Sequence, residues 1–288
     1  MKTPMAVVPV AGLGTRLLPA TKSQPKEMLP VAKKPVVQYV VEELEGNGVR
    51  EVLFITGKNK TSIEDHFDSA HELNRALQSG GKKDLLAELE FEQMPIQFFF
   101  TRQREQKGLG DAISCGHFFT RDAPFVVALG DSIIGLHGQS RVVCRMMEAF
   151  DSEKADCVIA VEEVPIETVS SYGVVAQGKD LGAGGFVIDD LVEKPSPAEA
   201  PSNLAIAARY VFSSRIYSAL AKTAPGKGGE IQLTDAIRIL LREGGRILGM
   251  RLGEGEKRYD IGNFESYFEA FIEFAVAEYP DLKRLVLP

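Results

Sequence analysis

The chain has 288 residues, which accommodates one large α/β domain or two small ones. A hydrophobic fraction of 44% and a charged fraction of 25% match an ordinary globular protein. The net charge of -7 argues against a general nucleic-acid binder, because contacts along a phosphate backbone require a basic surface.

The opening "MKTPMAVVPVAG" holds too short an apolar run for a signal peptide, and nothing later approaches a membrane span. The expectation is a cytoplasmic protein that does not contact membranes. "MAVVPV" (5–10) reads as a buried first strand, followed by a loop crowded with glycine and positive charge, "AGLGTRLLPATKSQPKEMLP" (11–30). Residues 1–34 carry Lys2, Arg16, Lys22, Lys26, Lys33 and Lys34 against Glu27 alone. "PVVQYVVEELEGNG" predicts a helix with Pro35 at its first position, a stripe of Val37, Val40, Val41 and Leu44, and a stop at Gly46–Gly48. "EVLFITG" (51–57) completes a βαβ unit, which favours a parallel sheet with right-handed crossovers.

Residues 60–92 read as a polar, mostly helical insertion on the rim of the sheet. "IQFFFT" (96–101) and "PFVVALGD" (124–131) predict further strands, and 156–164, 172–176, 186–195 and 205–212 predict a second, more β-rich half. Helices are expected at about 214–222 and 230–243, then the strand "RILGMRL", then "KRYDIGN" and an aromatic helix over 264–278. The pattern fits one α/β catalytic domain over 1–263 with a C-terminal helical appendage over 264–288. The three cysteines, Cys115, Cys144 and Cys157, lack metal-ligand spacing and read as small buried residues of a reducing compartment.

The loop behind the first strand is the most informative stretch. Gly12 and Gly14 permit positive φ and allow backbone N–H groups to face a ligand, as phosphate nests do at the carboxyl ends of strands. A Walker A loop requires a GxxxxGK[ST] pattern, which is absent, and a dinucleotide fingerprint requires a third glycine where Leu17 stands. A tight glycine turn without a ligand is the remaining alternative. Arg16, Lys22 and Lys26 weigh against it, because cations around one small loop repel unless an anion lies between them.

"GLGTRLLPATKSQPKEMLP" resembles the signature of the sugar-nucleotide pyrophosphorylases, GxGTR followed by PKxxLP. The wording "PVAGLGTR", "PKEMLP", "IEDHFD" (63–68), "KGLGDA" (107–112), "YGVV" (172–175), "VEKP" (192–195), "APSNLA" (200–205), "GGEIQLTDA" (228–236) and "YDIGN" (259–263) is similar to the bacterial UTP–glucose-1-phosphate uridylyltransferase branch. The resemblance implies a Rossmann-like three-layer α/β/α fold with a mixed, mostly parallel sheet. It also implies a reaction in which UTP and glucose 1-phosphate give UDP-glucose and pyrophosphate with Mg2+. Arg16 and Lys26 match the residues that hold the triphosphate and stabilise the transition state. Asp131 and Asp260, each ending a strand at the same sheet edge, match the two metal ligands.

Ala11, Gly12, Gly14, Gln103 and Gly108 match the nucleotide site. An amide at 103 can pair with both the N3–H and the O4 of uracil. Gly173, Glu193 and Lys194 match the sugar-phosphate site. Lys22 has no assigned role. The chain departs from the family at Ser132, where a second acidic residue is common, and at Asp111, where histidine is usual. A glucose-1-phosphate thymidylyltransferase shares GxGTR and the aspartate pair but not the "PKEMLP", "APSNLA" and "GGEIQLTDA" wording. A non-catalytic sugar-nucleotide-binding regulator would lose Lys26 or a metal aspartate, and neither is lost here. In the last helix Phe264, Tyr267, Phe268, Phe271, Phe274 and Ala275 lie mostly on one face, which predicts core packing plus a contact in a homodimer or homotetramer.

Overall fold

The structure is a computed structural model that describes residues 4–286; Lys2 of the basic opening segment and the last two residues of the C-terminal stretch lie outside the described residues. Strand β1 (Met5–Pro9) is followed by three short 3-10 turns and a hairpin of β2 (Pro30–Val31) and β3 (Lys34–Pro35). Helix α1 (Val36–Gly46) returns the chain to β4 (Glu51–Thr56). Helices α2 (Thr61–Phe67), α3 (His71–Ser79) and α4 (Lys83–Ala87) then precede β5 (Gln97–Arg102). The chain continues through α5 (Leu109–Ser114), α6 (His117–Thr120), β6 (Phe125–Ala128), β7 (Ser132–Ile134) and α7 (Val142–Ser152). Strands β8 (Cys157–Glu163), β9 (Gly173–Gly182), β10 (Gly185–Glu193) and β11 (Leu204–Phe212) follow. The last elements needed below are α8 (Arg215–Lys222), α9 (Leu233–Arg242), β12 (Ile247–Arg251), β13 (Arg258–Asp260) and α10 (Phe264–Glu278).

Nine strands form one mixed sheet in the order β5-β4-β1-β6-β11-β8-β12-β10-β9. The β5-β4-β1-β6 portion pairs in parallel, whereas β11 runs antiparallel to both β6 and β8. Alternation of side chains sends Val7, Leu53 and Val127 to one face, where α5, α8 and α9 contribute Ile113, Ile216, Leu220 and Ile237. Ala6, Val8, Phe54 and Val126 go to the opposite face, under Val37, Val40 and Leu44 of α1 and Val142 and Met146 of α7. These are the three layers of an α/β/α fold. Strands buried on both sides have no room for polar alternation, so they read in the sequence as unbroken apolar runs.

Pro35 stands one residue outside α1 rather than at its first position, with ψ 147°. The hairpin pairing of Pro30 with Pro35 holds it extended. Among the cysteines only Cys157 is buried; Cys115 and Cys144 are half-exposed, because both lie on helix edges rather than in strands.

A third apolar cluster lies at the end of the molecule. Leu17, Leu29 and Val31 from the loop after β1, Tyr39 from α1, Ile133 from β7 and Tyr259 and Ile261 beside β13 close around Ala270 and Phe274 of α10. Phe274 makes edge-on contacts with Tyr39 (5.2 Å between centroids) and Tyr259 (4.9 Å). The aromatic face expected for this helix is therefore divided: Phe274 is in the core, while Phe268 and Ile272 are exposed.

One charged pair is enclosed by the core. Arg209, in an otherwise apolar β11, donates from Nη2 to Glu43 Oε2 of α1 at 2.6 Å, and both side chains are fully buried. The same guanidinium donates to the carbonyls of Ser132 at 2.9 Å and Leu129 at 3.5 Å. A bulge in β11, with Ala208 at φ 61°, lies next to it. Burial pushes the Glu43 carboxyl up, and Arg209 opposes that shift. Replacing only Arg209 leaves a buried carboxylate unpaired, which costs about 3–5 kcal/mol. Urea denaturation should therefore find Arg209→Met severely destabilised, and the double variant Glu43→Leu/Arg209→Met should recover most of the loss.

Candidate active site

Strand β1 pairs with β4 on one side and β6 on the other, so the chain departs from it in opposite directions. In open α/β sheets such a switch point leaves a crevice at the carboxyl ends of the strands. Here the loop after β1, the segment 129–131 after β6 and the loop after β5 border that crevice. Two cavities of about 550 and 220 Å3 lie in it. They share Arg16, Leu109, Leu129, Asp131, Glu193, Lys194 and Gln232 as walls, so they are two ends of one cleft.

The structure brings the twelve residues matched to a site role into one cleft. Ala11, Gly12, Gly14, Lys26, Gln103 and Gly108 line the larger end, Gly173 and Asp260 the smaller, and Arg16, Asp131, Glu193 and Lys194 both. Lys22 is exposed on a short turn and lines neither. Of the loop glycines only Gly14 takes a left-handed conformation (φ 66°), tied by Thr21 Oγ1 to its carbonyl at 2.8 Å. Gly108 (φ 96°) is more demanding: a Cβ there would meet Glu230 Cβ at 2.8 Å and the Ile231 carbonyl at 2.9 Å. That lack of room lets the 107–110 backbone lie against the 230–231 segment, with Ile231 N–H donating to Lys107 O at 2.7 Å.

The two aspartates meet by a route different from the expected one. Strand β6 ends at Ala128, and Asp131 lies in the turn beyond it rather than at the strand end. The antiparallel ribbon of β7 and β13 then sets Asp260 opposite Ser132, and Ile261 N–H donates to the Asp131 carbonyl at 2.9 Å. Ser132 is buried as a register partner of Asp260.

Charge in the cleft is dense and mutually compensating. Lys26 Nζ is paired with Asp131 Oδ2. Burial works against the Lys26 charge, but the Asp131 and Glu27 carboxylates outweigh it and raise its pKa. Burial likewise opposes ionisation of Asp131, and Lys26 with Arg16 holds it below the ordinary value. Asp260 is pushed up, first by burial and then by the charge of Asp131. Two hard oxygen donors that repel each other suit a divalent cation of the magnesium type, which takes few carboxylates and keeps waters. Arg16 is exposed, and among the described residues no carboxylate pairs with it; its Nη2 would lie 3.0 Å from a Cβ at Gly262, beside Asp260.

Some functional-looking residues were not foreseen. Glu27, next to Lys26, is buried and accepts from Lys60 Nζ at 2.8 Å, an ion pair that anchors the lysine loop to the start of α2. Glu230, Gln232 and Thr234 reach the cleft, and Thr234 Oγ1 donates to Glu193 Oε2 at 2.6 Å. The quoted "GGEIQLTDA" segment contains all three, but apolar spacing alone placed them on an ordinary helix. Arg258 pairs with Glu162 at 2.5 Å and stacks on Tyr172 at 4.5 Å, beside Asp260. The Gln103 amide also differs from expectation: its Nε2 already donates to Asp111 Oδ2 at 2.7 Å and Gly108 O at 3.1 Å.

Residues 5–275 match the nucleotidyl transferase family. A UTP–glucose-1-phosphate uridylyltransferase of Streptococcus pyogenes is 45% identical over 98% of this chain and 92% of its own length. One of Bacillus subtilis is 43% identical over 99% of this chain and 94% of its own. Among solved structures, a UTP-bound UGPase from Acinetobacter baumannii superposes with a TM-score of 0.87 at 35% identity, covering 99% of both chains. A UDP-glucose pyrophosphorylase complexed with UDP-glucose superposes at 0.81 and 38% identity, covering 94% of this chain and 98% of its own.

The close approach at Gly108 can be checked without a ligand. Gly182 also has positive φ (78°), but a Cβ there meets nothing within 4 Å. Gly182→Ala should cost about 1 kcal/mol from φ alone. Gly108→Ala should cost a further 1–3 kcal/mol or so from overpacking, read as the difference between the two denaturation midpoints.

Proposed function

As the chain belongs to the nucleotidyl transferase family, we propose that it transfers the uridylyl group of UTP to glucose 1-phosphate, giving UDP-glucose and pyrophosphate. The observation that carries this reading is the meeting of Arg16, Lys26, Asp131, Asp260, Glu193 and Lys194 in one cleft, in a chain 43% and 45% identical to relatives named for that reaction. A phosphate oxygen of glucose 1-phosphate attacks the α-phosphorus of UTP in line, the α–β bridging P–O bond breaks, and pyrophosphate leaves with its electron pair. No protein nucleophile takes part, so catalysis is positioning and charge neutralisation.

Arg16 and Lys26 hold the triphosphate and meet the charge that builds at the α-phosphate, which lowers the barrier of the step itself. The pairing of Lys26 with Asp131 supports this by keeping the ammonium aimed into the cleft. Asp131 and Asp260 would hold a magnesium ion, which would supply charge neutralisation to the phosphates. Gln103, Ala11, Gly12, Gly14 and Gly108 accept the nucleotide. Glu193 accepts from glucose hydroxyls, Lys194 holds the sugar's phosphate, and Gly173 lets backbone approach the ring; a Cβ there would crowd Ile206 Cδ1 at 2.8 Å and Glu193 Oε2 at 3.2 Å.

The domain reading follows the same lines, with 1–263 as the catalytic domain, 60–92 as an insertion within it and 264–288 as a C-terminal segment. Exposed Phe268 and Ile272 on α10 support a contact with a second copy, in a homodimer or homotetramer. No helix among the described residues is long and apolar enough to cross a membrane, and a cytoplasmic site of action fits the substrates.

Turnover of glucose 1-phosphate with UTP should exceed turnover with dTTP and should stop with a chelator and return with magnesium; a dTTP preference overturns the substrate assignment. Lys26→Met should lower kcat by about 100- to 1,000-fold, the usual size for losing one transition-state cation. Sedimentation should find a dimer or tetramer that Phe268→Glu/Ile272→Glu dissociates; a monomeric parent protein overturns the role given to α10.

A further inference from the structure

Gln103 is 5% exposed and lines the larger end of the cleft, whereas Asp111 is not among the walls of that cavity and stands behind it, in the first turn of α5. An uncharged amide nitrogen carries two hydrogens. Both are spoken for here: Nε2 donates to Asp111 Oδ2 at 2.7 Å and to the carbonyl of Gly108 at 3.1 Å. Turning the amide over would set Oε1 against a carboxylate and a carbonyl, two acceptors facing an acceptor, so the pair admits one orientation only. The Gly108 carbonyl is in turn fixed by the N–H of Ala112 at 3.2 Å. What Gln103 presents to the cleft is therefore a lone acceptor, Oε1.

We infer that Asp111 is a positioning residue for base selection: by holding the Gln103 amide with its oxygen forward, it makes the site demand a pyrimidine that donates at N3. This rests on the reading of Gln103 as the base contact made above. Uracil carries N3–H and satisfies Oε1. Cytosine has an unprotonated N3 whose lone pair would face Oε1, and a buried acceptor set against an acceptor is left unpaired. Thymine shares N3–H with uracil, so Asp111 sets uracil against cytosine and leaves uracil against thymine to other contacts. The carboxylate that stands where histidine is usual in the family thus has a definite task in this chain.

The measurement is kcat/KM for UTP, dTTP and CTP with glucose 1-phosphate, on the full chain and four variants. Asp111→Leu and Asp111→Ala remove the charged and closer of the two acceptors, leaving only the longer bond to the Gly108 carbonyl to oppose rotation of the amide. They should lower the UTP-to-CTP ratio by about tenfold or more, the worth of roughly one hydrogen bond, while the UTP-to-dTTP ratio stays within about threefold. Asp111→Asn can still turn a carbonyl oxygen to the Gln103 amide and should keep the parent UTP-to-CTP ratio. A purely structural role for Asp111 would depress all three nucleotides together; an unchanged UTP-to-CTP ratio in both Leu and Ala variants overturns the inference. Gln103→Ala separates this from the underlying reading. If it leaves the ratio unchanged, Gln103 is not the base contact and the inference falls with it. If it alters the ratio but the Asp111 variants do not, only the role given to Asp111 is refuted.

Discussion

The ion pair between Glu43 and Arg209 is the constraint around which the cleft is organised. A fully buried guanidinium must find acceptors for its hydrogens. This one finds them in a helix carboxylate and in the carbonyls of Leu129 and Ser132, on either side of Asp131. One charged side chain thereby joins three elements: α1 above the sheet, β11 within it and the turn that carries an aspartate into the cleft. Apolar packing could hold α1 on the sheet equally well. It could not fix the path of a turn whose backbone groups would otherwise turn to water.

The remaining walls of the cleft are held by similar polar anchors. Glu27 and Lys60 fasten the lysine loop to α2. Thr234 holds Glu193, and the ribbon of β7 and β13 aligns Asp260 beside Asp131. The third apolar cluster supports these from beneath. Tyr39 Oη and Tyr267 Oη donate to the carbonyls of Val31 and Pro30 at 2.8 Å, so α10 clamps the end of the loop that begins at Gly12. An aromatic helix at the far end of the chain is therefore part of the support of the first loop.

Much of the architecture was legible in the residues. Strands such as "MAVVPV" and "EVLFIT" are mostly apolar because both faces are covered, and the stripe of Val37, Val40 and Leu44 marks one covered face of a helix. All twelve candidate residues named from the family resemblance lie in the cleft walls. Legibility failed where side chains interact across long separations. Arg209 in an apolar run carries no local signal of its partner 166 positions away. Lys60 gives no sign of Glu27, and a glutamine whose hydrogens are both engaged reads the same as one that is free.

By itself, then, the sequence determined the strands of the central sheet, the phosphate-type loop and the chemical kinds of group available for a nucleotidyl transfer. Those depend on local spacing, and local spacing is written in consecutive residues. The tertiary structure decided how the groups are aimed: Asp131 through Arg209, Asp260 through the β7–β13 ribbon, Lys26 through the Glu27–Lys60 anchor and Gln103 through Asp111. Orientation is set by pairs of polar atoms that only folding brings within about 3 Å, the distance at which a hydrogen bond becomes directional.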